Sequence, residues 1–200
     1  MVSSNILIQP DFLAAEDCRA AMACFRRLAQ ANRLFRNPAG DPFWDYRYVW
    51  LSALPPEESA TRAMMHRTRV RTIACIKGHY GESEPLYSDG LQLVCWPEGI
   101  AMPPHADNAR RDGSPNETPH RDYASVIYLN EDFAGGELYF PRTGLQIKPR
   151  TGMLVAFTGG IEDCHGVNAA SAGTRYTMPA WYTRTIAQRD RCELEWETVS

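Results

Sequence analysis

Three residues of this 200-residue sequence have the types and spacing of a metal site: His105, Asp107 and His165. His105 and Asp107 stand two apart in Met102-Pro-Pro-His-Ala-Asp107. Read as a strand over Pro103–Asp107, this run sends both side chains to one face, because side chains alternate along an extended chain. His165 follows 58 positions later, at the start of a second candidate strand, His165–Asn168. Lying across a barrel from the first strand, it closes a third position. Two imidazoles and one carboxylate on one octahedral face leave three positions open, the arrangement of non-haem Fe(II) oxygenases. Two open positions suit a chelating 2-oxo acid and one suits dioxygen. The three residues alone also admit surface or hydrogen-bonded histidines. They admit a zinc hydrolase too, which ordinarily has a fourth polar site and a general base.

Arg175 lies ten positions after His165. A guanidinium holds a carboxylate by two parallel hydrogen bonds. At the far end of a chelated 2-oxo dicarboxylate, that grip selects a five-carbon co-substrate. Thr177 shares the face of Arg175 and offers a hydroxyl. An arginine standing alone would read as a surface residue, so Arg175 gains meaning only beside the triad. Cys164 adjoins His165, but alternation turns it to the other face, and it reads as structural.

These residues need a rigid frame. From Leu91 onward, short β-rich runs alternate with Gly, Pro, Asn and Asp, which implies a sandwich or barrel. The candidate strands are Leu91–Trp96, Pro103–Asp107, Tyr123–Leu129, Glu137–Phe140, Met153–Phe157, His165–Asn168 and Arg175–Thr183. The first third is helical. Cys18, Met22, Phe25 and Leu28 fall on one face of a helix from Ala15 to about Gln30. A second helix starts near Pro55-Pro-Glu-Glu58, carries Ala60, Met64, Ile73 and Ile76 inward and ends near Gly78, with Arg62, Arg67, Arg69 and Arg71 on solvated faces. Between the helices, Asn37–Pro42 reads as a loop, and the alternation of Tyr46, Tyr48 and Trp50 reads as a strand. The polar insertion Asn108–Arg121 reads as a mobile loop, its Asn108–Pro119 part a substrate lid, with His120 and Arg121 solvated. Gly135-Gly136 reads as a turn.

Composition sets the bounds. With 44% apolar residues and no long linker, the sequence reads as a single domain over residues 1–200, with residues 1–90 supplying helices and first strands and 91–185 the catalytic core. A net charge of −3 argues against a basic nucleic-acid binder. No apolar run is long enough for a membrane span. The start Met1–Asn5 has no basic, then apolar, export pattern, and none of the six cysteines forms a C-x2-C pair. A cytoplasmic protein with reduced thiols is the expectation.

Several segments together resemble the prolyl hydroxylase branch of the Fe(II)/2-oxoglutarate dioxygenases. Leu91-Gln-Leu-Val-Cys-Trp-Pro-Glu-Gly-Ile-Ala-Met-Pro-Pro-His-Ala-Asp-Asn108 is similar to their metal-binding entry. His120–Leu138, Ile147–Phe157 and His165-Gly-Val-Asn168 follow in order, and the likeness runs from about Leu91 to Thr183. It is greatest to the catalytic domain of the prolyl 3-hydroxylases (the leprecan type). The resemblance implies a mainly β, α+β fold: a double-stranded β-helix (jelly roll, cupin-like) with helices packed on one sheet. It implies Fe(II) on His105, Asp107 and His165, and 2-oxoglutarate with its distal carboxylate on Arg175. Trp96 stands where prolyl 4-hydroxylases often keep a tyrosine, so Tyr128 or Thr177 is left to supply a hydroxyl. Trp181 falls where relatives often keep an aromatic residue near the co-substrate; core packing explains it as well. Related halogenases have a small residue at the position of Asp107, so a carboxylate there argues for hydroxylation.

The implied reaction consumes 2-oxoglutarate and O2, with ascorbate as a possible aid. It releases succinate and CO2 and hydroxylates an unactivated C–H of a prolyl residue or a free amino acid. Oxidation of a non-prolyl small molecule in secondary metabolism would use the same residues. A metal-free binding module on the same fold is the reading from a different class. The sequence does not name the substrate or an oligomeric state.

Overall fold

The computed structural model describes residues 5–37 and 43–193. The loop reading at 38–42 and the reading of the chain's first four residues lie outside them. In chain order the elements are β1 (Leu7–Gln9), α1 (Ala15–Gln30), β2 (Tyr48–Trp50), α2 (Ser59–Tyr80), β3 (Tyr87–Trp96), β4 (Met102–His105), β5 (Tyr123–Tyr128), β6 (Ala134–Gly135), β7 (Leu138–Phe140), β8 (Leu145–Ile147), β9 (Leu154–Thr158), β10 (His165–Val167), β11 (Ala170–Ala172) and β12 (Arg175–Thr183).

α1 has the bounds its periodicity implies, with Cys18, Ala21, Cys24, Phe25 and Leu28 buried. Glu16 and Asp17 face the positive end of the helix dipole, and Arg27 the negative end. α2 departs from expectation in three ways. It continues past Gly78 to Tyr80 and ends on Gly81, whose φ of +66° takes the left-handed conformation that closes a helix. Ala60 is exposed, and the buried face instead contains Thr61, Met64, Met65, Thr68, Thr72 and Ile76. Thr68 and Thr72 are tolerated there because each hydroxyl donates to the carbonyl one turn back, Met64 and Thr68 respectively, at 2.9 Å. Arg69 is buried rather than solvated and lies 3.6 Å from the buried Glu193.

The strands form a six-stranded sheet of order β1-β9-β5-β12-β3-β2, a four-stranded sheet of order β4-β10-β7-β8 and the short pair β11-β6. This is the mainly β, double-stranded β-helix with packed helices. β5 is buried along its length and serves two cores. Tyr123 and Ile127 face the helices, packed with Phe25, Met65, Leu93 and Met178. Ala124, Val126 and Tyr128 face the four-stranded sheet, packed with Leu138, Phe140, Phe157 and Val167. β6, β8 and β11 lie outside the expected strands: each is two or three residues long and, unlike β7 and β10, none sits within a longer β-rich run.

The candidate strand Pro103–Asp107 is shorter than expected. β4 stops at His105, so Asp107 lies just beyond it on a bend. His165 does not lie across the barrel from His105. β10 pairs directly with β4, and His165 is the cross-strand partner of His105.

The turn into β9 is fixed by backbone approach. Gly152 has φ +78°, and a Cβ there would sit 2.2 Å from the Leu13 carbonyl oxygen. Its N–H donates to Tyr128 O at 2.8 Å and its carbonyl accepts from Leu13 N–H at 2.9 Å. Gly152→Ala is therefore expected to cost about 2 kcal/mol or more, read as a fall of several degrees in Tm by thermal unfolding.

Candidate metal centre and cavity

His105, Asp107 and His165 each offer a ligand atom, and these atoms lie within 4.8 Å of one another. The β4–β10 pairing sets the two imidazoles side by side, with ring centroids 4.5 Å apart. Each Nδ1 lies against a backbone carbonyl: His105 on Pro103 O at 3.0 Å, His165 on Asp163 O at 3.1 Å. As donors to those carbonyls, both Nδ1 atoms carry the proton, and each Nε2 keeps its lone pair for a metal. Burial holds His165 below the ordinary histidine value, with the nearby Asp107 opposing. A neutral imidazole is the form that ligates.

Asp107 is oriented from three sides. Trp181 Nε1–H donates to its Oδ1 at 2.7 Å. Asn116 Nδ2 and Thr118 Oγ1 donate to its backbone carbonyl at 3.1 and 2.8 Å. The second carboxylate oxygen, Oδ2, is buried without a hydrogen-bond partner among the described residues and lies 3.9 Å from His165 Nε2. A buried carboxylate oxygen facing two imidazole lone pairs is unfavourable until a cation joins them. This donor set fits a divalent transition metal. Cys164 is not in the cluster.

Arg175 opens β12 and is 2% exposed. Among the described residues its Nε and Nη1 have no hydrogen-bond partner. The guanidinium lies 5.1 Å from the Trp96 ring centroid and 5.3 Å from that of Tyr128, whose hydroxyl is also buried and unpartnered. Burial lowers the pKa of Arg175 and raises that of Tyr128. A dry cation with free N–H groups is a receptor for an anion. Thr177 Oγ1 accepts from Trp96 Nε1 at 3.2 Å, which fixes the indole beside Arg175. Trp181 is not at this end: six residues along β12, it touches Asp107.

Between the two ends lies a cavity of about 400 Å³, lined by His105, Asp107, His165, Arg175, Thr177, Trp96 and Trp181 among others. Tyr128 is packed behind Arg175, outside the lining. The wall towards β2 is aromatic, with Tyr48, Trp50 and Trp181 in ring contact. Arg121 also lines the cavity, where a solvated loop was expected. Its guanidinium stacks 4.2 Å over Trp181, and its Nε donates to Asp89 at 2.7 Å. His120 Nε2 lies 3.2 Å from the same carboxylate. Asp89 is an extra residue on β3, where the register shifts between Trp181 opposite Gly90 and Tyr182 opposite Ser88. That bulge turns its carboxylate to the loop, a placement no sequence period reveals.

Residues 91–183 match the family model described as the 2OG-Fe(II) oxygenase superfamily. A human protein, prolyl 3-hydroxylase 3, is 34% identical over 149 residues, 64% of this chain and 20% of its own length. The chain thus spans about one fifth of the curated relatives it matches. A prolyl-4-hydroxylase structure from Pseudomonas putida superposes with TM-score 0.63 at 26% identity, covering 92% of this chain and 94% of its own. A Trichoplax adhaerens prolyl hydroxylase, in complex with a peptide fragment of the hypoxia inducible factor oxygen degradation domain, superposes with TM-score 0.69 at 20% identity and covers 94% and 86% of the two chains.

Trp181 offers no ligand atom of its own, yet its N–H holds the Asp107 carboxylate. Trp181→Phe keeps the ring and removes the N–H. Such outer contacts typically account for a 10- to 100-fold difference in metal affinity. About a tenfold weaker Fe(II) affinity is expected in anaerobic titration, with the fold retained by circular dichroism.

Proposed function

We propose, from the premise that residues 91–183 belong to the 2OG-Fe(II) oxygenase superfamily, that this protein hydroxylates an unactivated C–H using Fe(II), 2-oxoglutarate and dioxygen. The observation that carries the proposal is the pair of unsatisfied buried charges at the two ends of one cavity, Asp107 Oδ2 and the Arg175 guanidinium. In this reading His105, Asp107 and His165 hold the metal, and Arg175 holds the distal carboxylate of 2-oxoglutarate. With iron bound, 2-oxoglutarate and dioxygen supply the oxidising power, releasing succinate and CO2.

The chain's own residues bind, orient and exclude water. Pro103 and Asp163 carbonyls keep the imidazole lone pairs aimed at the metal position. Trp181 takes one oxygen of Asp107 and leaves the other for the metal. Trp96, held by Thr177, and Tyr128 enclose Arg175, so an incoming carboxylate meets N–H donors and little water. In so dry a setting a charge-assisted pair is stronger than at a surface. The aromatic wall of Tyr48, Trp50 and Trp181 presents a flat apolar surface to the substrate. The substrate class read here is a prolyl residue in a peptide or a free amino acid. The likeness to prolyl 3-hydroxylases and the peptide held by the Trichoplax relative support the peptidyl form. A metal-free binding module would not need the orphaned carboxylate and guanidinium.

Succinate formation from 2-oxoglutarate under air, with Fe(II) and ascorbate, tests the reading. A panel of prolyl peptides and free amino acids is expected to contain a stimulating substrate. His105→Ala should abolish turnover. Arg175→Ala should raise the 2-oxoglutarate requirement by at least about tenfold. Wild-type rates from either variant would refute these assignments.

A further inference from the structure

The cavity holds one buried polar side chain that neither the metal nor the co-substrate accounts for. Gln92 lies mid-strand on β3, lines the cavity and is 6% exposed. Its carboxamide makes no hydrogen bond to any described residue. The other amide, serine and threonine side chains of the lining are engaged. Asn116 and Thr118 hold the Asp107 carbonyl. Thr177 accepts from Trp96, and Ser125 pairs with Tyr182. Arg121 is held by Asp89.

Neighbours define what Gln92 faces. Its cross-strand partner on β2 is Trp50. The Trp50 ring lies 6.2 Å from Trp181, which adjoins the metal ligand Asp107. On the other side the β12–β3 pairing passes from Thr177↔Val94 to Ala180↔Leu91, and the gap contains Pro179, which also lines the cavity and has no N–H to offer. Gln92 thus lies in register between Trp50 and Pro179, and among the described residues none hydrogen-bonds its carboxamide.

We infer that Gln92 is a specificity-determining residue that receives an amide group of the substrate. The inference deepens the hydroxylase reading and rests on it for the choice of a proline-bearing probe. A carboxamide has an N–H donor and a C=O acceptor in one plane. A peptide group presents the complementary pair. Aromatic walls on either side suit a flat amide and the apolar ring attached to it. A ligand without the matching donor leaves the buried carbonyl unpaired, and sites of this kind reject such ligands strongly. The substrate is accordingly bound through a peptide bond and not as a bare hydrocarbon or an ester.

The test is a binding measurement that does not depend on turnover. Protein loaded with Zn(II) and 2-oxoglutarate is labelled with ¹⁵N, and the Gln92 side-chain signals are assigned by their loss in Gln92→Met. N-Acetylproline N-methylamide is titrated against N-acetylproline methyl ester and free proline. The amide should shift the Gln92 signals saturably and bind about tenfold more tightly than the ester. In Gln92→Met that difference should vanish, the amide falling to the level of the ester. Gln92 signals that stay in place with the amide at saturation overturn the inference, a result readable in the wild type alone. A Gln92→Met protein that binds the amide as tightly as wild type overturns it too. Failure of the oxygenase reading shows separately, as absent succinate with the Gln92 shift intact.

Discussion

A guanidinium enclosed by protein with no carboxylate to meet it is the constraint around which this structure is arranged. Arg175 is buried, and two of its nitrogens have no hydrogen-bond partner. Removing a charge from water is costly unless a partner restores what the water supplied. The surroundings do so only in part, through the faces of Trp96 and Tyr128. Asp107 presents the opposite deficit at the other end of the same cavity, a carboxylate oxygen without a donor. The two charges are held apart by the frame and do not neutralise each other. Each is left for a ligand: a cation at one end and an anion at the other.

β12 sets that separation. Arg175, Thr177, Pro179 and Trp181 follow at intervals of two, and all four line the cavity. One element thus carries the anion receptor, its supporting hydroxyl and the indole that orients the Asp107 carboxylate. β12 lies between β5 and β3 in the six-stranded sheet, with its register fixed on both sides. The β4–β10 pairing fixes the remaining coordinate by setting His105 against His165. A slip of one residue in either register would turn the side chains to the other face.

Much of this was legible in the sequence because the chemistry uses rare residue types at short spacing. His105, Asp107, His165 and Arg175 could be picked out by type, and the strand carrying Arg175 had its bounds in view. The neighbour relation of β4 and β10 was not legible, since pairing between His105 and His165, 60 residues apart in sequence, leaves no local period. Asp107 was placed on a strand, but it is fixed beyond the strand end by contacts from Trp181, Asn116 and Thr118. In α2 Met64, Ile73 and Ile76 pack inward as apolar spacing implies, but the same buried face also carries threonines satisfied within the helix and an arginine paired with Glu193, which that spacing could not reveal. Gln92 stayed hidden for a related reason. Within Leu91-Gln-Leu-Val it looks like the polar half of an ordinary alternation, and only the cavity shows that its polar side faces an enclosed site.

We propose that the cavity takes a metal-bound 2-oxo acid at one end and its second carboxylate on Arg175 at the other. Anaerobic titration of the Fe(II)-loaded protein with 2-oxoglutarate tests it most directly, read by the weak visible charge-transfer absorption of the chelate. The wild type should develop the band saturably, and Arg175→Leu should need 10- to 100-fold more 2-oxoglutarate, as expected for loss of about 1.5–3 kcal/mol of charged hydrogen bonding. Pyruvate, which lacks the distal carboxylate, should bind both proteins alike. No band in the iron-loaded wild type, or equal 2-oxoglutarate affinity in the two proteins, would contradict the account.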